Sequence, residues 1–253
     1  MLGAHNPRIA FARELLTKKG RQEHGRFLAE GPTLLAEAVE GGTDIEAVFV
    51  TEELRNTLSI VRELEARSIP VHLINDATAA KLSDVETPTG IIAVCVARTV
   101  RVEEFFSADG LVLILADLAD PGNAGTLLRS ADAFGVSRVL FGSHGVEPFN
   151  PKVVRSSMGS LFRATIAVAS PAEVVAATNG WVFAGLTRDG EPLRRWKAPN
   201  RAALVIGQER RGLGAWTALC REHLGIPMRG RAESLNAGVA GSIALYEVTR
   251  PPA

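Results

Sequence analysis

Three short stretches of this 253-residue chain carry polar side chains at spacings that could do chemistry. One is Ser234-Leu235-Asn236, which follows the apolar Leu224–Ile226 and the strand-ending Pro227. In extended backbone Ser234 and Asn236 point to one side and Leu235 to the other. Taken alone, the same residues read as a helix start with Asn236 as its N-cap. A second stretch holds Asn123 in a Gly- and Pro-rich loop, with Arg129 further along the helix that follows. The third is Gly207-Gln208-Glu209. Together they offer a carboxylate, a guanidinium, hydroxyl and amide groups, and much loop backbone. Such a set binds and orients a ligand. It contains no histidine, which argues against a Ser-His-Asp arrangement. His5, His24, His72, His144 and His223 are scattered, and no residues show metal-ligand spacing, so no metal is expected. Cys95 and Cys220 lie far apart in apolar or mixed segments and read as buried thiols.

Each stretch follows an apolar run that reads as a buried strand: Leu111–Ala116, Ala202–Ile206 and Leu224–Ile226. In open parallel sheets ligands bind beyond the carboxyl ends of the strands, so the three are expected to converge there. Asn123 is expected to cap a helix whose buried stripe is Leu127, Leu128, Ala131 and Phe134, with Arg129 off the stripe. A last helix starts after Asn236, patterned by Val239, Ile243 and Tyr246. Its small residues, Ala237, Gly238, Ala240, Gly241, Ser242 and Ala244, allow another backbone to approach closely. The Gly212-Leu213-Gly214 loop lacks the third glycine of a dinucleotide fingerprint, which disfavours a dehydrogenase.

The alternation of strands and helices predicts an α/β protein of two domains. The expected divisions are a basic helical extension over 1–25, a substrate-binding unit over 26–97, a charged linker over 98–110, and a second unit over 111–253. The expected elements include one helix over Leu54–Ser68. The formal net charge is zero, but Arg8, Arg13, Lys18, Lys19, Arg21 and Arg26 cluster near the N-terminus. They suit either phosphate contacts or a solvated helix face. No apolar run is long enough to span a bilayer and no signal-peptide pattern is present, so a cytoplasmic protein with no membrane partner is expected.

Asp120 to Gly135, Leu204 to Glu209 and Ile226 to Asn236 resemble the three ordered motifs of the SpoU (TrmH) family of the SPOUT superfamily, and Lys152 to Ser160 looks like the family too. These are RNA ribose 2'-O-methyltransferases that use S-adenosylmethionine. The resemblance covers 111–248 well and 26–97 less specifically, as a ribosomal-protein-like RNA-binding α/β domain. It implies a parallel-sheet catalytic domain with a trefoil knot. Gly207, Ile226, Met228 and Leu235 would then bind the methyl donor, largely through backbone groups. Asn123, Arg129, Glu209, Ser234 and Asn236 would be the catalytic set. It also implies a homodimer built on the knot region, with both subunits contributing to the site. Ribosomal RNA is expected in preference to transfer RNA, and a catalytically weak RNA-binding paralogue is the alternative. The chain departs from the family pattern at Gln208, where Asn is usual, at Arg210, where Gly is common, and at Gly238, where Ser is frequent.

Overall fold

The structure is a computed structural model and describes residues 1–250. In chain order the elements begin with α1 (Pro7–Glu14), α2 (Lys18–His24), β1 (Arg26–Glu30), α3 (Pro32–Glu40) and β2 (Ile45–Thr51). Then come α4 (Glu52–Thr57), α5 (Ser59–Ala66), β3 (Val71–Ile74), α6 (Asp76–Ala79) and β4 (Ile91–Val96). Next are α7 (Val102–Phe105), β5 (Gly110–Leu115), α8 (Pro121–Ala133), β6 (Arg138–Gly142), α9 (Pro151–Ser156) and α10 (Ser160–Arg163). The last are β7 (Thr165–Ala169), α11 (Pro171–Ala177), β8 (Val182–Pro192), β9 (Arg201–Ile206), β10 (Glu222–Gly225) and α12 (Ala237–Thr249). Short 3-10 turns follow β8 and β9.

The chain forms two units: Met1–Arg98 with Phe149–Phe162, and Thr99–Pro148 with 163–253. The first holds a four-stranded mixed sheet in the order β1-β4-β2-β3. β4 pairs antiparallel with β1 and β2, and β3 lies parallel to β2. Pro32 at the first turn starts α3, whose Leu34, Leu35, Ala38 and Val39 are buried, and Gly41 ends it. The second unit holds a six-stranded sheet, β10-β8-β9-β5-β6-β7, in which every pair is parallel. β5 sits inside this sheet, and its Val112 to Leu115 are buried, as the continuous apolar run requires.

The structure departs from the sequence reading at several points, each with a packing reason. The first 25 residues are part of the first unit: Ile9, Ala12 and Leu15 are fully buried in one cluster with Leu28, Phe49 and Ile74. Residues 149–162 group with this unit also: Phe149 and Phe162 stack on Phe27, with ring centroids 4.8 and 6.3 Å apart. The segment 98–110 is more than a linker, because its α7 carries Phe105 and Phe106 into the core of the second unit. The expected helix over Leu54–Ser68 splits into α4 and α5 at the extended Leu58. The basic N-terminal set is partly consumed. Arg21 is 5% exposed and donates to the Leu15 carbonyl at 2.7 Å, and Arg26 pairs with Glu46.

Helix α12 is where expected, and the face it buries is the one lined by small residues. Ala237, Gly238, Gly241, Ala244 and Leu245 are buried, while Val239, Ile243 and Tyr246 are 47%, 40% and 53% exposed. The close approach that the small residues permit is to α8 of the same chain. A Cβ on Gly241 would meet Leu127 Cδ2 at 2.4 Å, and Ser130 and Ser242 share a 2.7 Å hydroxyl bond. Among the described residues no helix is long and apolar enough to cross a membrane.

Candidate active site

A cavity of about 430 Å3 opens beyond the carboxyl ends of β9 and β10, beside the middle of β8. Ile206 and Gly207 end the β9 wall, Ile226 and Met228 the β10 wall, and Leu186, Thr187 and Arg188 come from β8. Ser234, Leu235 and the start of α12 close it. Its volume falls within the roughly 300–1,000 Å3 of small-molecule sites. Apolar side chains and loop backbone make much of the wall, and Glu209 and Glu233 add carboxylates that suit a cationic group.

The expected binding residues Gly207, Ile226, Met228 and Leu235 all line this cavity, as do Glu209 and Ser234. Asn123 and Asn236 join them by a different route. Asn123 is 8% exposed and its Nδ2 donates to Glu209 Oε1. Gly238 lies beside both amides: a Cβ there would stand 3.0 Å from Asn123 Oδ1 and 3.1 Å from Asn236 Oδ1. Asn123 does not cap α8. That helix starts three residues earlier than a cap at Asn123 would place it, at Pro121, and Asp120 Oδ1 accepts from Asn123 N at 2.8 Å. The cap therefore leaves the Asn123 side chain for Glu209. Asn236 does cap α12, accepting from Val239 N at 3.2 Å. Arg129 is off the buried stripe of α8, exposed, and outside the cavity wall. Among the described residues its side chain makes no hydrogen bond or ion pair.

The loop after β9 is fixed by its own backbone. Gln208 and Gly212 exchange two N–H···O bonds of 2.9 Å, which makes residues 209–211 the tip of a tight turn. A Cβ on Gly207 would fall 2.2 Å from the Gly212 carbonyl oxygen, so only glycine fits there. Behind the loop stands Asp117, a non-glycine residue at φ +53°. Its carbonyl accepts from Gln208 Nε2, and its carboxylate accepts from Trp216 Nε1 at 3.0 Å and from His144 N at 3.1 Å. Left-handed backbone at such a residue costs about 1–3 kcal/mol and persists only where surroundings over-determine it. Three bonds from three loops do so here.

The sequence reading missed Arg188, Thr187 and Asp117. The first two follow an apolar strand run as the other stretches do, and that rule would have found them. Asp117 lies three residues before a recognised motif, and its role depends on which distant residues fold against it. Cys95 and Cys220 are buried. Burial pushes their thiols up to about 12 and about 11, so neither is a thiolate at neutral pH. Among the described residues no group of His, Cys, Asp and Glu could hold a metal ion.

Residues 110–246 match the SpoU rRNA Methylase family and residues 6–93 match an MRM3-like substrate binding domain. A 23S rRNA (guanosine(2553)-2'-O)-methyltransferase of Bacillus subtilis is 31% identical over 251 residues, covering 97% of each chain. The solved structure of an AdoMet-bound rRNA methyltransferase from Sinorhizobium meliloti superposes with a TM-score of 0.86 at 27% identity, covering 98% of this chain and 96% of that one. A SpoU methyltransferase from Streptomyces viridochromogenes in complex with AdoMet also gives 0.86, at 30% identity and 97% of each chain.

Replacing Gly207 by Ala must push the Gly212 carbonyl away and break the paired bonds. Amide hydrogen exchange at Gln208 and Gly212 is expected to quicken by about ten-fold or more, with exchange in β5 unchanged. Unchanged protection at both amides would mean the loop accommodates a methyl group.

Proposed function

The chain belongs to the SpoU rRNA methylase family and is an S-adenosylmethionine-dependent methyltransferase, and from that premise we propose that it methylates a ribose 2'-hydroxyl of large-subunit ribosomal RNA. The observation that carries the reading is the joining of the cavity wall to the Asn123–Glu209 bond and the Asn236 amide at Gly238. The relatives named for 23S rRNA support the choice of RNA, as does the match of the first unit to a substrate binding domain.

When bound, S-adenosylmethionine would supply a methyl carbon on a sulfonium; the ribose 2'-oxygen would bond to that carbon as its bond to sulfur breaks, leaving S-adenosylhomocysteine, and the hydroxyl proton would pass to water. The protein's part is alignment and charge. Gly207, Ile226, Met228 and Leu235 hold the donor by loop backbone and apolar contact. Glu209, fixed by Asn123, sets a carboxylate at the wall, and Ser234 and Asn236 position the ribose. Arg129 holds an RNA phosphate next to that ribose and stabilises the developing alkoxide. A guanidinium is a poor base, with a pKa above ~12. The functional protein is a homodimer whose second copy covers the exposed Val239, Ile243 and Tyr246 of α12. The interface thus uses the large residues of this helix, since the small ones are spent on α8.

Nucleoside mass spectrometry after reaction with a 23S ribosomal RNA transcript is expected to find the methyl on a ribose; a methylated base, or no transfer, would overturn the reading. Arg129→Ala is expected to lower kcat by about 100-fold or more while donor affinity stays within about three-fold, and Arg129→Lys is not expected to rescue it. Near-normal turnover would return Arg129 to the role of a surface arginine. Ile243→Asp places a charge in the proposed interface, and light scattering at micromolar concentration should show the dimer shift to monomer. A dimer unmoved by this change would place the interface elsewhere.

A further inference from the structure

The second unit distributes its charge unevenly. Away from the cavity Arg163 pairs with Asp132, Arg201 with Asp109 and Arg250 with Glu247, while Arg101, Arg129, Arg194, Arg195 and Arg221 are exposed and scattered along the chain. Arg138 donates to the carbonyls of Phe105, Ala108 and Asp109. The two loops that wall the cavity concentrate four more. Arg210 and Arg211 occupy the tip of the turn closed by Gln208 and Gly212, and Arg229 and Arg231 flank Gly230 in the loop between β10 and α12. All four are exposed, and among the described residues none makes a hydrogen bond or an ion pair. The carboxylates of the same loops do not neutralise them. Neither Glu209 nor Glu233 forms an ion pair with any of the four, and two carboxylates against four guanidiniums leave an excess of positive charge. In a chain with zero net charge, the cavity mouth therefore carries unspent positive charge.

We infer that Arg210, Arg211, Arg229 and Arg231 grip the RNA phosphodiesters on either side of the ribose that enters the cavity. The inference rests on the RNA-methylating reading above and adds which residues of the catalytic unit hold the RNA backbone. A ribose in a chain is flanked by two phosphates, and two loops on different walls of the cavity offer two pairs of guanidiniums. Planar guanidinium forks suit phosphate oxygens bidentately. The turn at 208–212 is closed by two backbone bonds, so its arginines are presented on fixed backbone and little further ordering is needed on binding. The departure from glycine at 210 thus adds a charge at the turn tip.

The test uses the full-length protein with an in vitro 23S ribosomal RNA transcript and two double variants, Arg210→Ala with Arg211→Ala and Arg229→Ala with Arg231→Ala. Filter binding across a salt series, calorimetry of S-adenosylmethionine and steady-state methyl transfer are measured for each. Each pair is expected to raise the RNA KM by about ten-fold or more and to flatten the log-affinity against log-salt slope by roughly 0.7 for each phosphate no longer held. Donor affinity, which also reports an intact loop, should stay within about two-fold of wild type. Arg229→Lys with Arg231→Lys keeps the charge and should regain most of the salt slope. Unchanged RNA affinity and slope in both Ala pairs would overturn the inference, as would a loss of donor affinity in step with that of RNA. Failure of the functional reading would look different: the wild-type protein would transfer no methyl to the ribose, while RNA retention on filters would still report these arginines.

Discussion

Where α12 lies against α8, two residues without side chains set the separation. A Cβ on Gly241 would stand 2.4 Å from Leu127 Cδ2, and one on Gly238 would stand 3.0 Å from Asn123 Oδ1. Leu127 is fully buried and has no room to retreat. Dispersion forces fall away over a gap of even 0.5–1 Å, so the helices pack closely or forfeit much of their attraction. This apolar seam has a polar consequence. It carries Asn236, at the start of α12, up to Asn123, in the first turn of α8, and Asn123 in turn fixes Glu209 on the loop after β9. The frequent Ser at 238 would put a Cβ against both amides, so the glycine departure belongs to the geometry of this chain's site.

A second constraint works from the other side of the same loop. Asp117 leaves β5 in a left-handed turn and is bonded by Gln208, Trp216 and the backbone of His144. Gly142 permits it: a Cβ there would lie 2.3 Å from Asp117 Oδ1. The side chain of Gln208 reaches the Asp117 carbonyl while its backbone closes the turn onto Gly212. The departure from Asn at 208 thus has a definite structural place, since one residue pins the loop to the sheet and shapes its tip. The cavity wall is held by bonds behind it, away from the ligand side, and so needs no ligand to define it.

Much of this was legible in the sequence because it depends on local rules. The apolar runs gave the strands, turn residues gave the loops, and the rule that parallel sheets bind at their carboxyl ends brought Gly207, Ile226 and Ser234 together. What was not legible depends on partners distant in the chain. Periodicity found α12 but not which side of it is buried, since Val239, Ile243 and Tyr246 share one spacing and Gly238, Gly241 and Leu245 share another. Spacing offers both faces, and α8 takes the one lined by small residues. Asn123 was read as a cap because Asn is a good one, but Asp120 and Pro121 take the cap and first-turn positions before it. Arg129 was correctly set apart from the buried stripe, and its distance from the cavity wall is something spacing does not report.

Charge shows the same division between what composition states and what folding decides. The first unit looks basic at its start, but Arg26, Arg55, Arg67, Arg98 and Arg155 all end on carboxylates, and Arg21 is spent on a carbonyl. Exposed ion pairs of this kind add little stability, a median of roughly 0–1 kcal/mol. Their larger effect here is to cancel positive charge that a count of residues would assign to RNA. Arg8, Arg13, Lys18 and Lys19 remain exposed there with no carboxylate partner among the described residues, four of the six basic residues of the segment. Around the cavity of the second unit, Arg210, Arg211, Arg229 and Arg231 form no ion pair with Glu209 or Glu233, and the four guanidiniums outnumber those two carboxylates. Here folding concentrates positive charge that a net charge of zero conceals.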